Sequence, residues 1–439
     1  MPGAIGRTVP SGPSPGTGAP PQKGGTVVPS VLRHRRYRYL FTAQLASTTA
    51  SSMLHFVLPL LAFDITGSTT LAGVVTAVSL TAASLAGVLA GTIADRHDRA
   101  LLVILALLAQ ALAFGALLAL TLPGFGGGSA PGLAVLAGVV AAAGSLLVPA
   151  YAGILRAVVP RAEVRDAYTV NQGRIHVIAV VAPALAGVLY AAHTGWVLVA
   201  GLLLVLLAAV AVRGTRARAR GVTRTARPAF VVDLRDGLLY VARRPPVWTA
   251  AVGGAVINLG INGALFTAVL ALRSRGTASA EISLVESVSA AGAIAGVLAA
   301  GCLLRRLRVP TIVVWCGAAY AAAALVSGFV HTALVIGLLF GIATLLLPAW
   351  NSGVFGSIAA DTPHELQGRV QSSIQLISAV LAPLPPMLSG LLLASVPYEA
   401  GMAAFSAVIV AGAAAQYAGR EDRRRGETPA GATRTEKEG

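Results

Sequence analysis

The chain has 439 residues, 56% of them hydrophobic and only 11% charged, with a net charge of +16. An ordinary soluble domain carries roughly 25% charged residues, so this composition excludes a fully water-exposed globule. The Lys and Arg residues stand at the ends of apolar runs rather than on a polar face interleaved with aromatics, which argues against a nucleic-acid partner and for the flanks of bilayer-spanning helices. The two cysteines, Cys302 and Cys316, belong to no CxxC or Cys/His cluster, so neither a metal site nor a disulfide framework is expected. No cofactor is expected either.

Residues 1–38 are rich in Pro, Gly, Ser and Thr, cannot bury a core, and read as a disordered N-terminal tail. Arg35 and Arg36 mimic a twin-arginine signal, but the apolar stretch after them is too long for a signal peptide. A bilayer core about 30 Å thick needs about 20 apolar residues in a helix. Six such runs fall at 39–63, 70–93, 100–122, 132–156, 170–192 and 195–213, and six more at 247–272, 280–304, 309–330, 332–357, 369–395 and 397–418. They divide the chain into an N-terminal bundle at 39–213, a linker at 214–246, a C-terminal bundle at 247–418 and a tail at 419–439. The linker starts as a basic stretch with Arg216, Arg218, Arg220, Arg224 and Arg227. It continues as a surface helix whose apolar stripe is Phe230, Leu234, Leu238 and Val241, with Asp233, Arg235, Asp236 and Arg243 off the stripe.

Of the 33 Lys and Arg residues, 31 fall on one side of this twelve-span arrangement, and only Arg273 and Arg275 on the other. The positive-inside rule then places both termini in the cytoplasm, and an odd number of spans would break the alternation. Short strings recur in the same order in the two halves. Ala86–Ala90 in span 2 returns as Ala295–Ala299 in span 8, Leu146–Tyr151 in span 4 parallels Leu345–Trp350 in span 10, and Pro183–Gly187 in span 5 parallels Pro386–Gly390 in span 11. A duplicated bundle with a binding site at the repeat interface is one known architecture for membrane carriers.

The most specific segment joins spans 2 and 3 and reads Gly91-Thr92-Ile93-Ala94-Asp95-Arg96-His97-Asp98-Arg99. It resembles the signature loop of the major facilitator superfamily, with Asp98 where that pattern usually has glycine and Ala100 where it often has a second basic residue. Asp64-Ile65-Thr66-Gly67-Ser68 closing span 1 and Gly368-Arg369-Val370 opening span 11 are similar to the exporters that include the enterobactin exporter and macrolide efflux proteins. The resemblance implies an all-α membrane protein of twelve transmembrane helices, in two pseudo-symmetric six-helix bundles around a central cavity lined by spans 1, 4, 7 and 10. It implies secondary active transport by alternating access, in a carrier expected to act as a monomer. Gly87 and Gly91 would let a neighbouring helix approach closely. Asp95 would be held at the membrane boundary by Arg99, by Arg369 and by the N-terminal amides of span 11, with Arg96 completing the switch loop. The other reading of the loop is a solvated turn bearing positive-inside charges.

Polar residues within spans are the candidates for substrate contact. Gln44, Thr48, Ser51, Ser52 and His55 share one face of span 1, Asn258 and Asn262 lie one turn apart in span 7, Trp350 and Asn351 stand in span 10, and Gln371 and Gln375 in span 11. Each either lines a wet cavity or makes interhelical hydrogen bonds, worth about 0.6 kcal/mol on average. Protons are the expected coupling ion. A mid-membrane charge costs roughly 2.5–3.5 kcal/mol on insertion scales, a cost that a group which binds and releases protons can justify. Glu286, about one and a half turns inside span 8, and His55 are the candidates. Prolines at 149, 183, 348, 383, 385 and 386 mark possible bends.

These features favour a proton-coupled exporter of small amphipathic compounds in a cell membrane. The alternatives are a nutrient importer of the same fold and a non-transporting membrane receptor or scaffold. An enzyme is not expected, because no P-loop, metal-ligand helix or nucleophile motif is present. The topology is tested by reporter fusions: a fusion at Gly127 should report the outside and one at Gly426 the cytoplasm, and the reverse at either position contradicts it.

Overall fold

The computed structural model describes residues 30–122, 129–215, 230–364 and 366–426; side chains of Ser30, Thr92, Asp95, residues 230–234, Asp361 and residues 419–426 lie outside the description. The described residues contain twelve helices long and apolar enough to cross a membrane: Arg35–Thr66, Thr69–Gly91, Arg99–Leu120, Ala130–Val158, Arg161–Ala192 and Thr194–Gly214 in the first half, then Pro245–Ser274, Ser279–Arg306, Val309–Ser327, Ala333–Ala360, Gln367–Ser395 and Tyr398–Ala418 in the second. These are spans 1 to 12. The basic stretch of the linker, 216–229, lies outside the described residues.

Spans 1 and 5 start four and nine residues before the apolar runs that announced them. Helix does not stop where hydropathy does. The early turns carry Arg35, Arg36 and Arg38 in span 1 and Asp166 in span 5, charges that water at the bilayer surface solvates. Helix ends follow local chemistry. Gly67 ends span 1 with φ 64°, a left-handed conformation that a Cβ disfavours, and its N–H reaches the Phe63 carbonyl. Ser68 then caps span 2 by accepting from the Leu71 N–H. Asp98, the departure from the superfamily loop, caps span 3 by accepting from Ala100 N at 2.8 Å and Leu101 N at 3.3 Å. Prolines act unequally: spans 4 and 5 run unbroken through Pro149 and Pro183, whereas span 10 is interrupted after Thr344 and span 11 between Leu381 and Leu384.

Within each half the helices pack on small residues, the usual way to bring helices together where lipid removes the hydrophobic drive. Gly201 abuts the Phe114 ring in the first half, and Gly263 the Phe405 ring in the second. The repeat-related aromatics behave alike. Tyr151 of span 4 directs its hydroxyl to Ser47 at 3.3 Å, and Trp350 of span 10 donates Nε1–H to Gln416 at 3.0 Å. The described part of the linker forms a helix, Phe230–Arg243. It docks on the start of span 11 through Gly237, which sits against Ser373 and the Arg369 carbonyl, and through an Arg369–Asp236 ion pair at 3.2 Å.

The two halves close on each other at the end away from the termini. Gly73 of span 2 lies against Gly390 of span 11: a Cβ on Gly73 would come within 3.2 Å of the Gly390 Cα, and Thr69 donates its hydroxyl to the Gly390 carbonyl at 3.2 Å. The repeat-related contact joins spans 5 and 8, where a Cβ on Gly187 would come within 2.6 Å of the Ser279 carbonyl oxygen and the Ser283 Cβ. Toward the termini the halves part. A Cβ at Gly91, Gly173, Gly301 or Gly368 would meet nothing within 4 Å, and one at Gly87 only the Ser145 Cβ at 4.0 Å within its own half. The central space therefore opens toward the end that bears the termini.

Gly390→Val should wedge the closed end apart. In a chain with Cys302 and Cys316 replaced by Ala, an Asn262→Cys probe should be labelled several-fold faster by an impermeant maleimide applied from the side opposite the termini. An unchanged rate would mean that the Gly73–Gly390 approach does not seal that end.

Candidate functional site

A cavity of about 490 Å3 lies between the halves, within the roughly 300–1,000 Å3 of small-molecule sites. Its lining comes from spans 1, 2, 7, 8 and 11: His55 and Pro59, Thr76 and Leu80, residues between Ala255 and Val269, Glu286, and residues between Ser378 and Pro386. The lining expected from spans 4 and 10 is absent from this cavity. The reason is visible in Tyr151 and Trp350, whose polar tips are satisfied inside their own bundles, and in span 11, whose break at Ala382–Pro383 brings that stretch to the cavity wall.

His55, Asn258, Asn262 and Glu286 are brought together here. His55 is exposed although its neighbours Leu54 and Phe56 are buried, because the surface it shows belongs to the cavity. Asn258 and Asn262 are exposed in the same way, and the Asn262 amide donates to the Asn258 carbonyl at 2.8 Å. Glu286 is half-buried, and among the described residues its carboxylate has no ion-pair or hydrogen-bond partner. Among the described residues no Lys or Arg lines the cavity.

The remaining polar face of span 1 meets other neighbours along its length. Arg174 of span 5 donates Nη1–H to the Gln44 carbonyl and to the Thr48 hydroxyl, each at 2.9 Å, and Nε–H and Nη2–H to the Asn171 side-chain oxygen. Ser51 accepts from Gln110 Nε2 at 3.2 Å. Asn351 is half-buried, and Gln371 and Gln375 are exposed on span 11. Their spacing to Ser378 and Ala382 keeps them on the face that lines the cavity farther along.

In the switch loop, Gly87, Gly91 and Arg96 are exposed. The Asp95 side chain lies outside the described residues. Of the arginines expected beside it, Arg99 lies across Gly153 of span 4, and Arg369 pairs with Asp236 of the linker helix.

Two features escaped the sequence reading. Arg174 was counted as a flanking charge, yet it is 8% exposed and inside span 5; Asn171 one turn earlier is a faint sequence signal. At the closed end, Arg273 of span 7 grips Asp64 of span 1 with Nε–H to Oδ1 at 2.8 Å and Nη2–H to Oδ2 at 2.5 Å, while Tyr190 of span 5 donates to Oδ2 at 2.6 Å. This fork-to-fork pair crosses the two halves. Its signal was in the charge count, since Arg273 is one of only two basic residues on that side and Asp64 is an acid at the same end.

Twelve spans in two halves around a central cavity, sealed at one end by interbundle contacts, are the architecture of a membrane carrier built from two repeats. Residues 40–384 match the Major Facilitator Superfamily, and the chain belongs to it; it is a multi-pass membrane transporter and not an enzyme. No curated protein matches the chain. Among solved structures it is similar to a bacterial homologue of the human lysosomal transporter Spinster, inward-facing and unoccupied, with 15% identity, a TM-score of 0.67, and coverage of 89% of this chain and 98% of that one. It is also similar to a bacterial homologue of the iron transporter ferroportin, inward-facing, with 17% identity, a TM-score of 0.69, and coverage of 89% and 99%. A third similar structure is a mutant of the nucleoside transporter NupG, with 12% identity, a TM-score of 0.68, and coverage of 87% and 99%. At these identities the likeness is one of fold.

The Asp64–Arg273 pair should hold the closed end. Asp64→Asn or Arg273→Gln should each weaken closure by about 1.5 kcal/mol, the low end for hydrogen bonds to charged groups, which is roughly tenfold in population. The exchanged pair Asp64→Arg with Arg273→Asp should recover part of it. A double-mutant cycle on labelling of Asn262→Cys from the side opposite the termini reads this coupling, and purely additive effects would show that the pair does not act as a unit.

Proposed function

We propose that this transporter is a proton-coupled exporter of small amphipathic compounds, lying in the cell membrane with both termini in the cytoplasm. The orientation rests on the concentration of Lys and Arg on the terminus-bearing side. On this reading the structure is inward-facing, with the cavity open to the cytoplasm and the Asp64–Arg273 end outermost. The observation that supports the proposal is Glu286, a carboxylate facing a largely apolar cavity with no Lys or Arg among its described lining residues. In a closed, desolvated cavity such a group must be neutralised before the protein can isomerise. A proton taken up from outside does this on the inward-bound half of the cycle, and its release to the cytoplasm leaves the site ready for substrate. His55, across the same cavity, is the second group able to exchange protons there.

Amphipathic cargo is supported by the lining, in which Leu80, Leu259, Leu265, Phe266, Val269 and Leu381 surround a few polar groups. The resemblance of the Asp64–Ser68 and Gly368–Val370 segments to exporters favours outward transport. In the outward-facing state the open glycine faces at Gly87 and Gly91 would receive span 11, and Asp95 would engage its start, with Arg369 leaving Asp236.

Glu286→Gln mimics the protonated form and should abolish accumulation driven by a pH gradient in everted vesicles screened with amphipathic compounds, while sparing exchange of bound substrate. Full pH-driven accumulation by this variant would move the coupling site elsewhere, with His55 the next candidate. Accumulation of nothing by the wild type, with the protein intact in the membrane, would favour the receptor reading.

A further inference from the structure

We propose that the substrate is a lipophilic organic monocation, and that it occupies the Glu286 carboxylate in alternation with the proton. This deepens the exporter reading and rests on it. Among the described residues the cavity lining carries one carboxylate, one imidazole, two amides and the hydroxyls of Thr76 and Ser378, and no Lys or Arg. An anionic substrate would meet Glu286 with no Lys or Arg among the described lining residues to offset the repulsion, and only a protonated His55 could oppose it. The buried cation that meets span 1, Arg174, directs its donors to Gln44, Thr48 and Asn171. A neutral substrate would displace the water that solvates Glu286 and leave the carboxylate unpaired, the arrangement most heavily penalised in a closed cavity.

A cation removes that penalty, and so does a proton. The two are mutually exclusive on one carboxylate. A metal cation fits poorly: among the described residues Glu286 and His55 are the only acid and imidazole in the lining, and no group of three His, Cys, Asp or Glu could hold an ion. An organic ammonium or phosphonium suits the remaining wall. The leucines can cover its apolar body, Phe266 adds an aromatic ring to the wall, and the Asn258 and Asn262 side-chain carbonyls can accept from any N–H it carries. The volume of about 490 Å3 admits a cation of drug size.

Competition at one carboxylate fixes the stoichiometry. One monocation leaves for each proton that enters, no net charge crosses, and the exchange responds to the pH gradient but not to membrane potential. Of the groups near Glu286, His55 also faces the cavity, and when protonated it adds repulsion of the cation. Arg174 and His176 of span 5, which packs on span 8, and Arg273 of span 7 line no part of it.

The test uses the full-length purified carrier and tetraphenylphosphonium, a permanent cation that cannot carry its own proton. The wild type should bind it with release of about one proton at a pH where Glu286 is protonated. Glu286→Gln should bind it at least tenfold more weakly, and Glu286→Asp, which keeps the charge, should bind within a few-fold of wild type. In proteoliposomes a pH gradient at clamped zero potential should drive its exchange beyond that in protein-free liposomes, and a potassium–valinomycin potential at equal pH should drive no more uptake than in protein-free liposomes, which this cation also permeates. Equal binding by wild type and Glu286→Gln, or pH-driven transport of an uncharged amphiphile with no binding of the cation, overturns the inference and leaves the exporter reading standing. Binding that depends on Glu286 without any gradient-driven exchange upholds the cation site and overturns the proton-coupled exporter.

Discussion

Among the described residues, the backbone-to-backbone contacts between the two halves of this transporter gather at one end, and the rest of the arrangement depends on that closure. Gly73 against Gly390, and Gly187 against Ser279 and Ser283, let spans 2 and 11 and spans 5 and 8 approach closely. The Asp64–Arg273–Tyr190 cluster adds charge-assisted bonds across the same seam. These contacts are repeat-related, since Gly187 and Gly390 close the matching Pro183–Gly187 and Pro386–Gly390 strings. A seam built twice from one duplicated unit has an axis between its two contacts. On the alternating-access reading proposed above, opening there and closing at the other end would be a rotation of one half against the other, with the cavity near the pivot.

The bilayer decides which polar groups stay bare. Inside a membrane an unsatisfied polar group is costly, and most of those within the spans are accounted for. Arg174 is held by Gln44, Thr48 and Asn171; Trp350 is linked to Gln416, and Gln416 in turn to the Ala250 carbonyl. Against that background the side chains that meet the cavity stand out: His55, Asn258, Asn262 and Glu286. Their exposure is what makes them candidates for substrate and proton contact, more than their position in any one span.

The fold was largely legible from sequence because membrane insertion writes it in long apolar runs, lopsided charge and a repeated half. Span ends were less so. Span 5 carries polar residues through its first turns, and the breaks in spans 10 and 11 depend on packing around prolines that leaves Pro149 and Pro183 inside continuous helices. The site was legible in part. His55, Asn258, Asn262 and Glu286 announce themselves as polar residues in apolar runs. Gln44, Thr48 and Ser51 announce themselves equally on the same face of span 1, yet they meet spans 5 and 3, because the neighbour of a helix face changes along its length and sequence spacing carries no record of that. The Asp64–Arg273 pair spans 209 positions, and only the folded halves bring its members together.

The central claim is that the two halves rock as bodies, exchanging closure at one end for closure at the other. Spin labels at positions 96 and 306 would report the separation of the halves at the terminus-bearing end, and labels at 68 and 276 the separation at the opposite end, in a chain without Cys302 and Cys316. Pulsed electron–electron distance measurements in lipid, with and without Asp64→Asn, should give two populations at each end. The variant should shift both together, the 68–276 distance lengthening as the 96–306 distance shortens. Distances that stay in one population at both ends, or a change at one end without the opposite change at the other, would contradict the account.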